Sequence, residues 1–170
     1  PPILVLEADA DHTAFFAKRH TLVHPRTRTG ILQNLEHDHA DIFPNMAAIQ
    51  TQFHHLVRTV PANGLIVSNG RDEHLKQVLA MGCWSAVEEF GPGLMWDFRR
   101  GERDSQFNVL FNGAEKGLVD WGQMGAHNTM NALAAIAAAR HAGVPTKMAI
   151  DALSEFTGVA RRMENKGEIG

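Results

Sequence analysis

The sequence predicts an α/β fold, a mostly parallel sheet flanked by helices with an antiparallel hairpin, on three observations. Short apolar runs recur without polar alternation, as strands buried on both faces require. Segments of helical period separate them, and alternating segments around Asn112-Gly113 follow in the second half. The 170 residues suit one domain, and a chain of this size buries roughly two-thirds of the surface its unfolded form exposes. With 44% hydrophobic and 21% charged residues and one cysteine, collagen-like, disordered and disulfide-stapled classes are excluded.

The clearest apolar runs are residues 3–6, 30–35 and 65–68. The first has no turn before it and ends directly in Glu7-Ala8-Asp9. It is expected to be an interior strand whose upstream partner lies outside the chain. Between the second and third runs, Ile49, Phe53, Leu56 and Val57 recur at helical spacing behind Pro44-Asn45, which predicts a helix over 47–60 and a β–α–β unit closed by Pro61-Ala62-Asn63-Gly64. A second helix is expected over 72–81, stopped by Gly82, and a fourth strand over 85–89. Residues 96–100, 105–111 and 116–121 alternate, and Asn112-Gly113 marks a hairpin between the last two. An Ala-rich helix over 128–142 and another over 146–156 follow, split by Gly143-Val144-Pro145. Residues 1–160 are thus expected to form the domain, and the charged, Gly-spaced 161–170 an outgoing linker.

The charge balance, 16 basic against 19 acidic residues, leaves no footprint for non-specific binding to nucleic acid or an anionic membrane. No run approaches the ~18 apolar residues of a membrane span, and the start lacks the basic region of a signal peptide. Together with the lone Cys83, this predicts a cytoplasmic protein.

Polar residues gather after the first two apolar runs, where open α/β sheets place their ligands. Glu7-Ala8-Asp9-Ala10-Asp11-His12 follows the first, and Asn34-Leu35-Glu36-His37-Asp38-His39-Ala40-Asp41 the second. Carboxylates and imidazoles on adjacent strand ends can hold a divalent cation, with magnesium or manganese favoured by oxygen ligands and zinc by several histidines. They can equally be solvated loop charges and helix caps. At least one of His54 and His55 is expected to pack or face solvent, and His20, His24, His74 and His141 sit in exposed-looking contexts. Cys83, beside Trp84 and without a basic neighbour, reads as a buried, inert thiol. Gly125-Ala126-His127-Asn128 opens the Ala-rich helix and Asn131 follows one turn later. Exposed helix N–H groups, an imidazole and two carboxamides can bind a flat heteroaromatic ring or a phosphate, or Asn128 can be a plain N-cap and Asn131 a packed polar residue.

Taken in order, Glu7-Ala8-Asp9 with Thr13-Ala14-Phe15-Phe16, the run from Asn34 to Phe43, Gly125-Ala126-His127-Asn128-Thr129-Met130-Asn131-Ala132-Leu133-Ala134-Ala135 and Gly158-Val159-Ala160-Arg161-Arg162 resemble the central ATP-binding domain of the Mur ligases. Ala40-Asp41-Ile42-Phe43-Pro44 with Gln52-Phe53-His54-His55-Leu56-Val57-Arg58 is most similar to the branch that serves peptidoglycan recycling. The resemblance implies ATP and Mg²⁺ as cofactors and an acyl-phosphate route that joins a murein tripeptide to UDP-N-acetylmuramate; the branch that joins L-alanine instead stays open. By motif position, Glu7 and His39 would be magnesium ligands at the reacting centre. His127, Asn128 and Asn131 would face adenine, and Arg162 would lie near the γ-phosphate.

This sequence departs from the family's pattern in three ways. Ala10 and His12 stand where the family carries acids. No G-x-x-x-x-G-K-[ST] loop occurs, and Gly113-Ala114-Glu115-Lys116-Gly117 has neither its spacing nor its hydroxyl. The family's UDP-sugar and amino-acid domains are not represented. The expectation is a central domain lacking its first strand and phosphate loop, and inactive as an isolated chain. Two other classes compete with it. One is a metal-dependent hydrolase built on residues 37–41. The other is a non-catalytic fragment that self-associates through an exposed sheet edge.

Overall fold

The computed structural model describes residues 3–5, 27–36, 43–123 and 125–157. Six strands form one sheet in chain order: β1 (Thr29–Leu32), β2 (Leu65–Asn69), β3 (Ala86–Phe90), β4 (Trp96–Arg100), β5 (Gln106–Phe111) and β6 (Ala114–Asp120). The first three pair in parallel, β4 joins β3 through Phe90 and Trp96, and β4, β5 and β6 are antiparallel. Helices α1 (Met46–Thr59) and α2 (Glu73–Ala80) cover one face, while α3 (Ala126–His141) and α4 (Thr146–Glu155) cover the other. The mixed sheet between helices is the fold that the sequence predicted.

Its logic is clearest in β2. Leu65 and Val67 pack with Phe90, Trp96, Leu133 and Ile136 beneath α3. Ile66 points the other way, among Leu32, Ile49, Val57 and Leu75 beneath α1 and α2. Both faces are covered, so an unbroken apolar run is what this strand needs, and each such side chain contributes about 1.5–3 kcal/mol by leaving water. The helices begin where their caps allow. Asn45 is extended and accepts from Ala48 N at 2.9 Å to start α1, and Asp72 accepts from His74 N and Leu75 N at 2.9 and 3.0 Å to start α2. Asn112 and Gly113, with φ of 49° and 81°, form the tight turn between β5 and β6, whose right-handed twist calls for positive φ at both positions.

Several expectations change. Ile3, Leu4 and Val5 carry no strand and are 67%, 72% and 86% exposed. A parallel strand exists only through its neighbour, and among the described residues β1 pairs with β2 alone. The run expected over 30–35 stops at Leu32, because beyond it Gln33 O and Leu35 N are taken by the side chains of Asn69 and Asp72 at the exit of β2 instead of a ladder. Asn128 is not the N-cap of α3. The helix starts one turn earlier, at Gly125, with no side-chain cap. His74 is not exposed, its Nδ1 being buried without a partner, whereas His141 is exposed as expected, with Nδ1 2.7 Å from Thr29 Oγ1. Residues 161–170 lie outside the described residues. Among those described, no helix is long and apolar enough to cross a membrane.

Candidate functional site

The carboxyl ends of β1 and β2 and the start of α3 enclose a cleft of about 310 Å³. Strand β1 delivers Gln33, Asn34 and Glu36 to it, β2 delivers Asn69, Arg71 and Asp72, and α3 delivers His127, Met130 and Asn131. This is the crevice in which open parallel sheets bind ligands, since every strand end and the facing helix start point their free backbone groups there.

Local chemistry shapes each wall. Asn69 Nδ2 donates to Gln33 O at 3.0 Å, and its Oδ1 accepts from Arg71 N at 2.9 Å. Asp72 Oδ2 accepts from Leu35 N at 2.8 Å while Oδ1 caps α2. The Arg71 guanidinium donates through Nε to Pro92 O at 2.9 Å and through a terminal nitrogen to the same oxygen, which ties in the loop after β3. Gly70 lets this exit loop lie flat against its neighbours. Its N–H donates to Phe90 O at 3.1 Å, and a Cβ there would come within 2.5 Å of Leu94 Cδ1.

The α3 wall is different because its polar groups are left over. Ala132, Leu133 and Ile136 fix the helix in the core. His127 and Asn131, four residues apart, share its cleft-facing side. Asn131 is half-buried, and its carboxamide has no hydrogen-bond partner among the described residues. Gly125, at the N-cap of α3, makes no side-chain cap hydrogen bond. A carboxamide offers one donor edge and one acceptor, the pair that an adenine edge presents in reverse, so the wall fits a flat heteroaromatic ring.

The structure therefore brings together His127, Asn131, Asn34 and Glu36 of the residues singled out from sequence. Asn128 is half-buried, already has a partner in the protein and does not line the cleft. Glu7, His39 and Arg162, like the rest of the 37–41 stretch, lie outside the described residues. Among the described residues no group of three or more His, Cys, Asp or Glu is placed to hold a metal ion. His54 packs, with Nε2 3.0 Å from Gly82 O, while His55 is exposed, and Cys83 is half-buried with Sγ 3.5 Å from Ser85 O. Asn69, Arg71 and Asp72 were missed. The rule applied to the first two apolar runs, polar residues at a strand's carboxyl end, would have found them after the third.

A larger hollow of about 420 Å³ lies between α3 and α4. Ile136, Val144, Met148, Leu153 and Phe156 make it apolar, and it carries no group able to orient a polar ligand. The smaller polar cleft is the better candidate.

Comparison with known proteins identifies the family. The family described as the Mur ligase middle domain matches residues 2–139. The chain is 46% identical over 169 residues to the UDP-N-acetylmuramate–L-alanyl-γ-D-glutamyl-meso-2,6-diaminoheptandioate ligase of Haemophilus influenzae, covering 99% of this chain and 37% of that protein. It is 50% identical over 165 residues to the Escherichia coli protein of the same name, covering 96% and 36%. Among solved structures it is similar to the corresponding ligase from Neisseria meningitides, with a TM-score of 0.76 and 54% identity over 81% of this chain and 43% of that one. The chain thus spans a little over a third of the curated relatives it matches.

Proposed function

The chain belongs to the Mur ligase family, whose middle domain it matches, and on that premise we propose that it is the nucleotide-binding part of an ATP-dependent ligase of peptidoglycan recycling. The full reaction joins L-alanyl-γ-D-glutamyl-meso-diaminopimelate to UDP-N-acetylmuramate in the cytoplasm, where the nucleotides are. Its support is the identity of 46% and 50% to relatives that carry this name. The observation in the molecule that carries the reading is the Asn131 carboxamide, without a hydrogen-bond partner among the described residues, in a polar cleft at the start of α3.

The chemistry divides into two steps. A muramoyl carboxylate oxygen attacks the γ-phosphorus of ATP, and ADP leaves. The tripeptide amine then attacks the carbonyl of the acyl phosphate, phosphate leaves, and the nitrogen gives up a proton as the amide forms. Within the described residues the chain's task is to bind and orient. Asn131 pairs with the adenine edge, His127 borders the ring, and Met130 between them supplies an apolar surface. Magnesium supplies neutralisation of the crowded phosphates when bound. Glu7 and His39 are the residues we propose to hold it, and Arg162 is proposed at the γ-phosphate. Residues 161–170 are proposed to lead onward from the domain.

Calorimetric titration of the intact protein with ADP tests the reading. Asn131→Ala is expected to weaken ADP by about five- to thirtyfold, the worth of one or two hydrogen bonds, with circular dichroism unchanged. An affinity within twofold of the wild type would remove the nucleotide reading. The ligation assay is expected to consume the tripeptide in preference to L-alanine, and the opposite preference would assign the chain to the L-alanine branch.

A further inference from the structure

The two principal walls of the cleft are held in different ways. α3 is locked by Ala132, Leu133, Ile136 and Ala137, all fully or almost fully buried. The opposite wall, residues 33–36, has left the sheet ladder, and two side chains at the exit of β2 hold it. Asn69 fixes Gln33 through its carbonyl, and Asp72 fixes Leu35 through its N–H. The residue between those points, Asn34, and the residue just after them, Glu36, both line the cleft. Leu35 itself is buried beneath, in the cluster under α1 and α2. One donor and one acceptor two residues apart, with an apolar anchor, set the direction and the height of this wall.

We infer that Asn69 and Asp72 are positioning residues of the nucleotide cleft, which act by holding residues 33–36 at a set distance from Asn131. The inference rests on the reading of the cleft as a nucleotide site. Neither side chain needs to touch the ligand. The Asp72 carboxylate does two jobs with two oxygens, and this separates the positioning role from a merely structural one. Oδ1 caps α2 and Oδ2 reaches Leu35. Arg71, between them in sequence, ties the same loop to Pro92, so the exit of β2 is joined to the loops on both sides.

The experiment uses the intact protein, ADP as the probe, and the variants Asp72→Ser and Asn69→Ala. A serine at position 72 still caps α2 but is too short to reach Leu35, so the melting temperature is expected to stay within about 3 °C of wild type. ADP affinity is expected to fall about fivefold or more in each variant. The double variant is expected to lose less than the product of the two, because both ties hold one wall. Should Asp72→Ser fold poorly, Asn69→Ala, which touches no cap, carries the test alone. ADP affinities within twofold of wild type in a folded Asn69→Ala would overturn the inference. If those affinities hold while Asn131→Ala still weakens ADP, the positioning role falls and the nucleotide reading stands. A wild-type protein that binds no ADP would sink both.

Discussion

The parallel part of the sheet, β1 to β3, and the antiparallel part, β4 to β6, use their polar side chains in opposite ways. In the parallel part, polar side chains reach from one strand exit to the next, Asn69 to Gln33, Asp72 to Leu35 and Arg71 to Pro92, and Asn131, across the cleft, has no hydrogen-bond partner among the described residues. In the antiparallel part they close on near neighbours. Asp120 accepts from Ser105 Oγ at 2.8 Å and Gln106 Nε2 at 2.9 Å, and Arg99 pairs with Glu115 at 2.7 Å across the strands. Aromatic contact does the rest: Trp96 and Phe111 lie 4.5 Å apart, and Phe107 meets Phe98 and Trp121 near edge-on. The difference has a topological origin. Parallel connections bring three strand ends and a helix start to one edge, where backbone groups have no ladder partner. Antiparallel strands return through tight turns and pair nearly every group as they go. A ligand site needs unspent polar groups, and among the described residues the cleft at the parallel strand ends holds one in Asn131.

The comparison is sharpened first by the largest expected loss. Phe107 is 2% exposed and in the core beneath α3 and α4. Phe107→Ala is expected to cost about 3–5 kcal/mol, read as a fall in the denaturant midpoint. Molecules that remain folded are expected to bind ADP as the wild type does. A fall in affinity like that of Asn131→Ala would break the separation of the two parts.

A smaller effect probes the turn that makes the antiparallel part local. Gly113 has φ of 81°, and a Cβ there would meet nothing within 4 Å. Gly113→Ala therefore tests backbone conformation without a steric clash. It is expected to cost about 1 kcal/mol in the same denaturation measurement and to leave ADP affinity unchanged. A neutral result would show that positive φ at this position does not matter to the hairpin.

What could be seen in the sequence follows the same division. The hairpin was legible because Asn112-Gly113 is a local signal, and β2 because an unbroken apolar run means cover on both faces. Asn131 and His127 were legible as a spacing at a helix start. The walls of the cleft were not, because Asp72 reaches Leu35 and Asn69 reaches Gln33 across 37 and 36 residues, and each ends on a backbone atom that any residue would supply. The strand expected from residue 3 is not formed at residues 3–5 for a related reason. Their β-type composition is local, but a strand is a property of the pair, and Ile3 to Val5 have none among the described residues.

The smallest expected effect is a pH dependence carried by the antiparallel part alone. Hydrogen bonds from Gln106 and Ser105, helped by the charge of Arg103 at 3.6 Å, hold the Asp120 carboxyl below the ordinary aspartate value. A group whose value is lowered in the folded state favours that state when ionised. Its contribution is fully present above the unfolded value, near 4, and is lost as pH falls through the lower, folded one. The side chain is 41% exposed, so solvent screens it and the contribution is modest. Denaturant midpoints at pH 7, 5, 4 and 3 are expected to decline mainly below pH 5 in the wild type. Asp120→Asn is expected to start lower at pH 7, because one donor from Ser105 or Gln106 then faces an amide N–H, and to decline less on acidification. Parallel acid limbs in the two proteins would show that Asp120 is not a source of acid sensitivity. ADP affinity is expected to be equal in both at pH 7, since neither Asp120 nor Ser105, Gln106 or Arg103 lines the cleft.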